Sequence, residues 1–157
     1  MRQHAFKLLA AFLLTFLAVA PGAAPPNLSG SWKMNISNSD FGPMPAPTSM
    51  VTKIQHAEPT LKMSTTWSGE QGERTFDRTL TTDGTESTSQ FGSMVFKSKC
   101  RWEGGALLID STASSDRGEF TIKEKWTLSE DGKTLTLVRT WSGPQGEMTQ
   151  TMVHEKQ

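Results

Sequence analysis

Apolar and polar residues alternate with a period of two along most of this chain, and a helical spacing of apolar residues is almost absent after residue 24. The alternating segments recur roughly every 8 to 12 residues, between turn signals such as Asp83-Gly84 and Asp131-Gly132. This pattern predicts an all-β protein with ten strands, the fifth of them weak and polar. The predicted strands are centred on residues 31–36, 50–56, 61–67, 75–80, 85–90, 95–102, 106–113, 120–128, 134–141 and 148–154.

An eight-residue phrase occurs twice, as TWSGEQGE from Thr66 and as TWSGPQGE from Thr140. Each copy predicts a β-hairpin, because a tryptophan ends one alternating segment, glycines able to take positive φ follow, and a second alternating segment begins. Repeated hairpins indicate an antiparallel up-and-down meander. A long meander tends to close, so we expect a barrel of about eight to ten strands.

Alternation assigns one face of each strand to the interior, and all five tryptophans fall on that face. The opposite face carries lysine, threonine, serine and glutamate, for example Lys123 and Lys125. An outer-membrane barrel has the reverse arrangement, so a membrane pore is disfavoured. The predicted interior residues are Trp32, Met34, Ile36, Ile54, His56, Leu61, Met63, Trp67, Phe76, Leu80, Phe96, Trp102, Leu107, Ile109, Phe120, Ile122, Trp126, Leu128, Leu135, Leu137, Trp141, Met148 and Met152.

The longest connection predicted between strands covers residues 37–49 and contains Pro43, Pro45 and Pro47. Prolines at this density prevent a regular helix and cannot donate to a sheet, so we expect an irregular strap. The strap is either a lid over one mouth of the barrel or a connector packed by Phe41, Met44 and Met50.

The N-terminus has the layout of a secretory signal peptide, with Arg2 and Lys7 before an apolar run over residues 8–20 and small residues up to Ala24. That run is shorter than the roughly 20 residues of a membrane-spanning helix, so no span is expected after cleavage. We therefore divide the chain into a signal peptide, residues 1–24, and one domain, residues 25–157. The domain is expected to be exported, to a periplasm or outside the cell.

The charge balance and the single cysteine exclude further classes. The chain has 16 basic and 16 acidic residues, and the predicted leader contains Arg2 and Lys7 but no acidic residue, so the domain is slightly acidic. This balance argues against a nucleic-acid partner. Cys100 has no partner for a disulfide. Its neighbours Lys99 and Arg101 fall on the outer face, so Cys100 falls on the apolar face, where a thiol is expected to be inert.

Gly30-Ser31-Trp32, on the first predicted strand, resembles the Gly-x-Trp motif of the calycins, which include the lipocalins and the fatty-acid-binding proteins. The segments LSGSWKMN from Leu28, SDFGPMP from Ser39 and LSEDGKTL from Leu128 together resemble small exported lipocalin-like proteins of bacteria that have no established activity. The resemblance covers essentially the whole domain. It implies an up-and-down barrel whose interior holds one small apolar or amphipathic ligand. The proline-rich strap replaces the helical lid of fatty-acid-binding proteins.

Three charged residues interrupt the predicted interior face: Arg78, Glu124 and Arg139. Charges in an apolar interior need partners. Arg78 and Arg139 resemble, in type and facing, the interior arginines with which fatty-acid-binding proteins hold a ligand carboxylate, and a guanidinium is a planar donor fork suited to an anion. The alternative is that Glu124 already neutralises Arg139 in an internal ion pair, or that Arg78 reaches solvent at a rim, which would leave a filled core without a site. The two readings are compatible.

The turn at residues 129–132 sets the expected register of the last strands. If Leu128 faces Lys133, then Glu124 pairs with Leu137, and Arg139 lies diagonally from Glu124 on the same face. A salt bridge between Arg139 and Glu124 would then form.

Catalytic motifs are lacking. The domain has only His56 and His154, both at strand ends, and it contains no Gly-x-Ser-x-Gly, no His-x-x-x-His and no cysteine pair. Glu124 is a lone candidate for a general base, whereas acid–base sites usually need a second positioned group. We therefore expect no enzyme activity, no metal and no cofactor.

The sequence favours an exported binding protein that holds a small apolar or anionic amphipathic molecule inside the barrel. In this hypothesis Arg78 and Arg139 anchor the ligand beside Glu124. The expected apolar lining is Trp32, Trp126, Trp141, Met63 and Phe96. The alternative is a filled barrel that binds a protein through its surface, as an inhibitor or an envelope assembly factor, with Phe41, Met44 and Pro45 as exposed anchors.

Overall fold

The computed structural model describes residues 24–70, 72–116 and 118–157, and ten β-strands cover most of them. The predicted signal peptide lies outside these residues except for Ala24. All ten predicted strands are present, with ends that differ slightly from the expected ones. They are β1 (Gly30–Met34), β2 (Ser49–Ala57), β3 (Thr60–Gly69), β4 (Gly72–Thr81), β5 (Ser87–Phe91), β6 (Met94–Glu103), β7 (Ala106–Ser115), β8 (Gly118–Leu128), β9 (Thr134–Gly143) and β10 (Gly146–Lys156).

The strands form one antiparallel sheet with the order β4-β3-β2-β1-β10-β9-β8-β7-β6-β5. Strands adjacent in sequence are therefore paired, except β4 and β5, and β1 also pairs with β10. The two edge strands, β4 and β5, approach each other without forming a hydrogen-bonded pair among the described residues. The result is a nearly closed barrel, which confirms the predicted up-and-down meander.

Both copies of the repeated phrase form hairpin tips, one between β3 and β4 and the other between β9 and β10. Gly143 pairs with Gly146 across the second tip, and the φ of Gly146 is +112°, a value that favours glycine. Gly69 and Gly72 pair in the same way at the first tip. Because β3 and β9 run in the same direction, the two tips lie at one end of the barrel, which we call the mouth.

The end opposite the mouth is filled with apolar side chains. Trp32 is fully buried, and its Nε1–H donates a 2.9 Å hydrogen bond to the carbonyl oxygen of Leu28. Leu28 precedes β1 and is 1% exposed, although alternation within the strands gave no reason to place it inside. The same buried cluster contains Leu61, Leu80, Leu107 and Leu135. The Gly-x-Trp segment therefore belongs to a closed floor of the barrel.

The predicted division into faces is confirmed. None of the predicted interior residues is exposed, and Trp32 and Trp126 are almost completely buried. Trp67, Trp102 and Trp141 are half-buried, because they lie near the two rims. Cys100 is 1% exposed, as its place on the apolar face predicted.

The strap is irregular, as predicted, except for one turn of 3-10 helix over Ile36–Asn38. Ile36 therefore lies beyond the end of β1, but it still packs against the core. Phe41 and Met50 pack against the core, as the connector alternative requires, whereas Met44 is 48% exposed and does not. No helix in the described part of the chain is long and apolar enough to cross a membrane.

The strap closes a gap in the wall that β1 is too short to fill. Asp40 and Thr151 of β10 exchange two backbone hydrogen bonds of 2.7 and 2.8 Å. At its other end, the backbone N–H of Thr48 donates to the carbonyl oxygen of Ser68 on β3. The strap is thus fixed to the wall beside the mouth at both of its ends.

The predicted register of β8 and β9 was wrong by two residues. Leu128 pairs with Leu135 rather than with Lys133, and Glu124 pairs with Arg139 rather than with Leu137. The turn is longer than expected because the side-chain and backbone atoms of Ser129 bond to the backbone of Thr134. A shift of two residues keeps every side chain on its predicted face.

Candidate functional site

A row of inward-facing side chains crosses the middle of the barrel from β6 to β10. Direct cross-strand pairs form the row Cys100, Ile109, Glu124, Arg139 and Gln150. These residues meet because each lies on the inward face of its strand. All are buried except Arg139, which is half-buried. Charged and polar groups therefore lie at the centre of a mainly apolar interior.

Glu124 holds two arginines together in what we call the ion bridge. Its Oε1 accepts a 3.3 Å hydrogen bond from Nη1 of Arg78 and lies 3.2 Å from Nη2 of Arg139. Its Oε2 accepts a 2.8 Å hydrogen bond from Nε1 of Trp126. Because Arg78 belongs to β4, which is not a neighbour of β8 in the sheet, the Arg78–Glu124 contact crosses the barrel interior.

The ion bridge carries two positive charges and one negative charge. Among the described residues, Nε and Nη2 of Arg78 and Nε of Arg139 are buried and have no hydrogen-bond partner. Burial alone would raise the pKa of the Glu124 carboxyl, but the charges of Arg139 and Arg78 and the Trp126 hydrogen bond outweigh it and hold that pKa below its ordinary value. The ion bridge therefore has a net positive charge and unpaired N–H donors.

Two other titratable side chains near the ion bridge are uncharged at neutral pH. Burial and the positive charge of Arg139 lower the pKa of His154 to about 4. Burial raises the pKa of the Cys100 thiol to about 12, although Arg78 acts in the opposite direction. Neither side chain therefore neutralises the extra positive charge.

The ion bridge lies between two apolar clusters. On β8, Glu124 is flanked by Ile122 on the mouth side and Trp126 on the floor side, and these two belong to different clusters. Of the predicted lining residues, Phe96 and Trp141 lie on the mouth side. The other cluster contains Trp32, Trp126 and Met63, and it extends from the floor to the level of the ion bridge, where Met63 pairs with Arg78. The structure therefore brings Arg78, Arg139 and Glu124 together but divides the expected apolar lining.

The mouth side is rich in half-buried aromatic rings. Phe76 of β4 contacts Phe91 of β5 and Phe96 of β6, with ring centroids 5.5 and 5.2 Å apart. Trp67 contacts Phe91 at 5.2 Å, and on the other wall Phe120 contacts Trp141 at 5.6 Å. These rings form an apolar surface between the ion bridge and solvent.

Sequence reasoning missed several polar residues of the interior. Gln150 is 6% exposed, accepts from Nε1 of Trp141 at 3.2 Å and donates to the carbonyl oxygen of Phe41 in the strap at 3.2 Å. Ser98 and Ser111 are also buried and hydrogen-bonded to each other. Alternation could have predicted their burial, because each of these residues lies at an inward position of its strand.

A second polar cluster, at the floor end, is saturated. The Glu58 carboxylate accepts hydrogen bonds from Nε2 of His56, from Nε1 of Trp102 and from the Thr82 hydroxyl. Burial opposes ionisation, but these three donors together outweigh it and hold the pKa of Glu58 below its ordinary value. The second nitrogen of His56 accepts from the backbone N–H of Leu28. With every partner satisfied, this cluster ties the N-terminal segment to the rim.

Two shallow grooves lie on the outer face of the barrel and do not reach the ion bridge. The larger runs over β6 to β8 between Lys97, Lys99 and Lys123 and also touches Ser111 and Ile122, and the smaller lies between Val51 and Ser64. In the described part of the chain, no three His, Cys, Asp or Glu residues are placed to hold a metal ion. Both oxygens of Glu124 are engaged, and a carboxylate held ionised in this way is a weak general base.

No protein-family model matches the sequence, and no curated protein matches it. Solved structures with the same fold include a secretory abundant heat soluble protein 4 from Ramazzottius varieornatus, which is 14% identical, has a TM-score of 0.58, and matches over 83% of this chain and 94% of that chain. A second secretory abundant heat soluble protein from that organism gives 14% identity, a TM-score of 0.60, and coverage of 82% and 94%.

Zebrafish ileal bile acid-binding protein, solved in complex with cholic acid, is 19% identical, with a TM-score of 0.56 and coverage of 83% of this chain and 98% of that chain. At such identities the likeness establishes the fold alone. The chain has a calycin-type barrel fold, as its Gly-x-Trp segment and meander predicted.

Proposed function

We propose that this protein binds a small anionic amphipathic molecule inside the barrel, between the ion bridge and the mouth. Arg78 and Arg139 hold the anionic group, and the aromatic rings near the mouth cover the apolar part. The observation that carries the proposal is that a buried guanidinium, Arg78, and a half-buried one, Arg139, share one carboxylate and keep three buried nitrogen donors unpaired.

The charge balance favours an anionic ligand. A buried charge without a partner is costly, and so is a buried donor without an acceptor. Glu124 compensates one of the two arginines, and His154 is held neutral, so one positive charge remains. A carboxylate or another monoanion would complete this charge and accept from the free donors of Arg78 and Arg139.

The mouth provides the apolar part of the site. Phe76, Phe96, Phe120 and Trp141 line the interior between the ion bridge and the rim, and all but Phe96 are only half-buried. Half-buried rings retain apolar surface that a ligand can cover, at roughly 25 cal/mol per Å². The bile acid-binding protein with the same fold was solved with a steroid acid, which is consistent with an amphipathic ligand here.

Displacement of a fluorescent fatty acid tests the proposal, with energy transfer from the tryptophans as the readout. Arg139→Met should weaken binding at least tenfold, because it removes a charge-assisted contact. Arg101→Met is the matched control, since Arg101 is 53% exposed on the outer face and pairs with Asp110 at 2.8 Å. Failure of the folded wild-type chain to bind any anionic amphipath would overturn the proposal.

That failure would favour the alternative of a filled barrel that acts through its surface. Met44 and Pro45 are exposed on the strap, but Phe41 is half-buried against the core, so the protein-binding surface would be smaller than the sequence suggested. Met44→Ser should then abolish capture of the protein partner and leave the fold intact.

We also propose that the mature protein is exported after removal of residues 1–24. The layout of Arg2 and Lys7 before the apolar run supports this assignment. N-terminal sequencing of the protein recovered outside the cytoplasm should begin near Pro25. A protein that retains Met1 in that fraction would contradict the assignment.

A further inference from the structure

We infer that the ligand carries a hydroxyl group as well as its anionic group, and that Ser98 and Ser111 recognise that hydroxyl. This inference rests on the proposed function, because it concerns the body of a molecule whose anionic end binds the arginines. It is carried by a row of serines on the inner wall above the ion bridge.

Three serines occupy directly paired inward positions on three neighbouring strands. Ser87 of β5 pairs with Ser98 of β6, and Ser98 pairs with Ser111 of β7. Ser98 is 1% exposed and Ser111 is 6% exposed. Ala113, the next inward residue on β7, is also small and fully buried. This part of the wall is therefore lined by short side chains and hydroxyl groups, between the longer side chains on either side.

The serine row is adjacent to the ion bridge. Ile109 pairs directly with Glu124, so Ser111 lies diagonally from Glu124 on the same face, within the reach of neighbouring side chains. Arg78 crosses the interior to Glu124, is only 9% exposed, and leaves Nε and Nη2 without partners among the described residues. One molecule can therefore contact the arginines and the serines together.

The two hydroxyl groups retain hydrogen-bonding capacity. The Oγ atoms of Ser98 and Ser111 are 2.8 Å apart, so one hydroxyl donates to the other. Neither side chain has a further hydrogen bond in the described residues, which leaves one hydroxyl proton without an acceptor. A ligand hydroxyl at this point would accept that proton and could donate in return.

The same pairing on the outside of the barrel has a different consequence. Thr66 and Thr75 form a 2.8 Å hydroxyl pair on the outer face, where water satisfies the remaining capacity. Inside, only a ligand group can do so once water is displaced. An apolar tail placed against Ser98 and Ser111 would leave the proton unsatisfied, so the site discriminates against ligands without a hydroxyl.

The position of the serines also sets where the hydroxyl lies. Ile109 pairs directly with Glu124 and so marks the level of the ion bridge, where the anionic group binds. Ser111 is the next inward residue after Ile109, and two residues of a strand span roughly 7 Å. The ligand hydroxyl should thus lie about 7 Å from the anionic group. In a fatty acid this separation corresponds to a hydroxyl near the sixth carbon.

Displacement titrations with stearate and 6-hydroxystearate test the inference on the full mature chain. The wild type should bind 6-hydroxystearate about five- to tenfold more tightly, as expected for one recovered hydrogen bond. The double variant Ser98→Ala/Ser111→Ala should lose this preference and still bind stearate. The matched control, Thr66→Ala/Thr75→Ala, removes a hydroxyl pair of the same geometry from the outer face and should keep the preference.

The outcomes separate the two proposals. Equal affinities of the wild type for both acids, or a preference that survives in the double serine variant, would overturn the serine assignment and leave the arginine site standing. Binding of neither acid by folded wild type would overturn both. The comparison of the two acids with the wild type can overturn the inference by itself, even if a variant does not fold.

Discussion

The ion bridge combines residues that are far apart in sequence but share one level of the barrel. Glu124 and Arg139 are directly paired on neighbouring strands, and Arg78 reaches Glu124 across the interior. The sequence predicted that all three face inward, because each interrupts an apolar face. It could not predict that Arg78 joins the same carboxylate, since that contact depends on the diameter and closure of the barrel. The pair with Arg139 was predicted, although through the wrong register.

Glu124→Gln should destabilise the fold strongly. The substitution keeps an acceptor for Trp126 but removes the charge that compensates the buried Arg78, and breaking a buried ion pair in this way costs about 3 kcal/mol or more. Urea unfolding at pH 7 measures the free energy of unfolding. Glu119→Gln is the control, because Glu119 is exposed on the outer face of the same strand. Equal, small losses below about 1 kcal/mol in both variants would contradict the ion bridge.

His154 should make the fold sensitive to mild acid. Its pKa is lowered to about 4 in the folded protein, while the unfolded chain takes up a proton near pH 6.5. The free energy of unfolding is therefore fully retained above pH 6.5, where His154 is neutral in both states. It falls as the pH decreases towards 4, by about 2 kcal/mol between pH 7 and 4.5. The lowered pKa of Glu124 acts in the same direction, but only below about pH 4.5.

His154→Leu tests this dependence, because leucine suits the apolar neighbours Met34 and Leu135 and does not titrate. Unfolding free energies from pH 7 to pH 4.5 should decline less steeply in the variant than in the wild type. The total loss of unfolding free energy between pH 7 and pH 4.5 should be smaller in the variant by the roughly 2 kcal/mol attributed to His154. Parallel curves would show that this histidine is not held neutral.

At the scale of the elements, alternation and turn residues were sufficient to locate every strand. The repeated phrase placed the hairpin tips correctly, because its tryptophans and glycines have one compatible arrangement in a meander. The β8–β9 register failed because the Ser129 side chain lengthens the turn, and a side-chain hydrogen bond of this kind leaves no periodic signal. Gln150 was not predicted to be interior, because a single polar residue at an inward position resembles a residue at the rim.

The unpaired edges of β4 and β5 are held together by side chains rather than by a ladder of backbone hydrogen bonds. Phe76 of β4 packs on Phe91 and Phe96 of the β5–β6 hairpin. Phe76→Ala should cost about 2 kcal/mol and loosen both edges. Hydrogen exchange measured by mass spectrometry should speed up in residues 72–81 and 87–91.

Phe120→Ala is the matched control for the edge contact. Phe120 is also half-buried and packs on Trp141, but β8 and β9 remain joined by backbone hydrogen bonds. Its loss should leave exchange in residues 72–81 and 87–91 unchanged. If both variants accelerate exchange in those segments equally, the aromatic contact is not what closes the gap.

At the scale of the whole molecule, the barrel is closed at one end and lined with half-buried rings at the other. The fully buried Trp32 and Leu28 fill the floor, while the strap is fixed beside the mouth by Asp40 and Thr151. The sequence predicted a barrel with an apolar interior but could not predict that its two ends differ. The difference arises because Leu28, which lies before β1 and outside the alternating pattern, packs with Trp32 at one end only.

The central claim is that an anion binds the free donors of Arg78 and Arg139, and side-chain ¹⁵N NMR tests it most directly. Each arginine Nε–H gives its own signal, and variants assign the signals to residues. Saturation with stearate should shift the Nε–H signals of Arg78 and Arg139 and leave that of the exposed Arg101 unchanged. If stearate binds while the signals of both interior arginines stay in place, the anion lies elsewhere and the account is wrong.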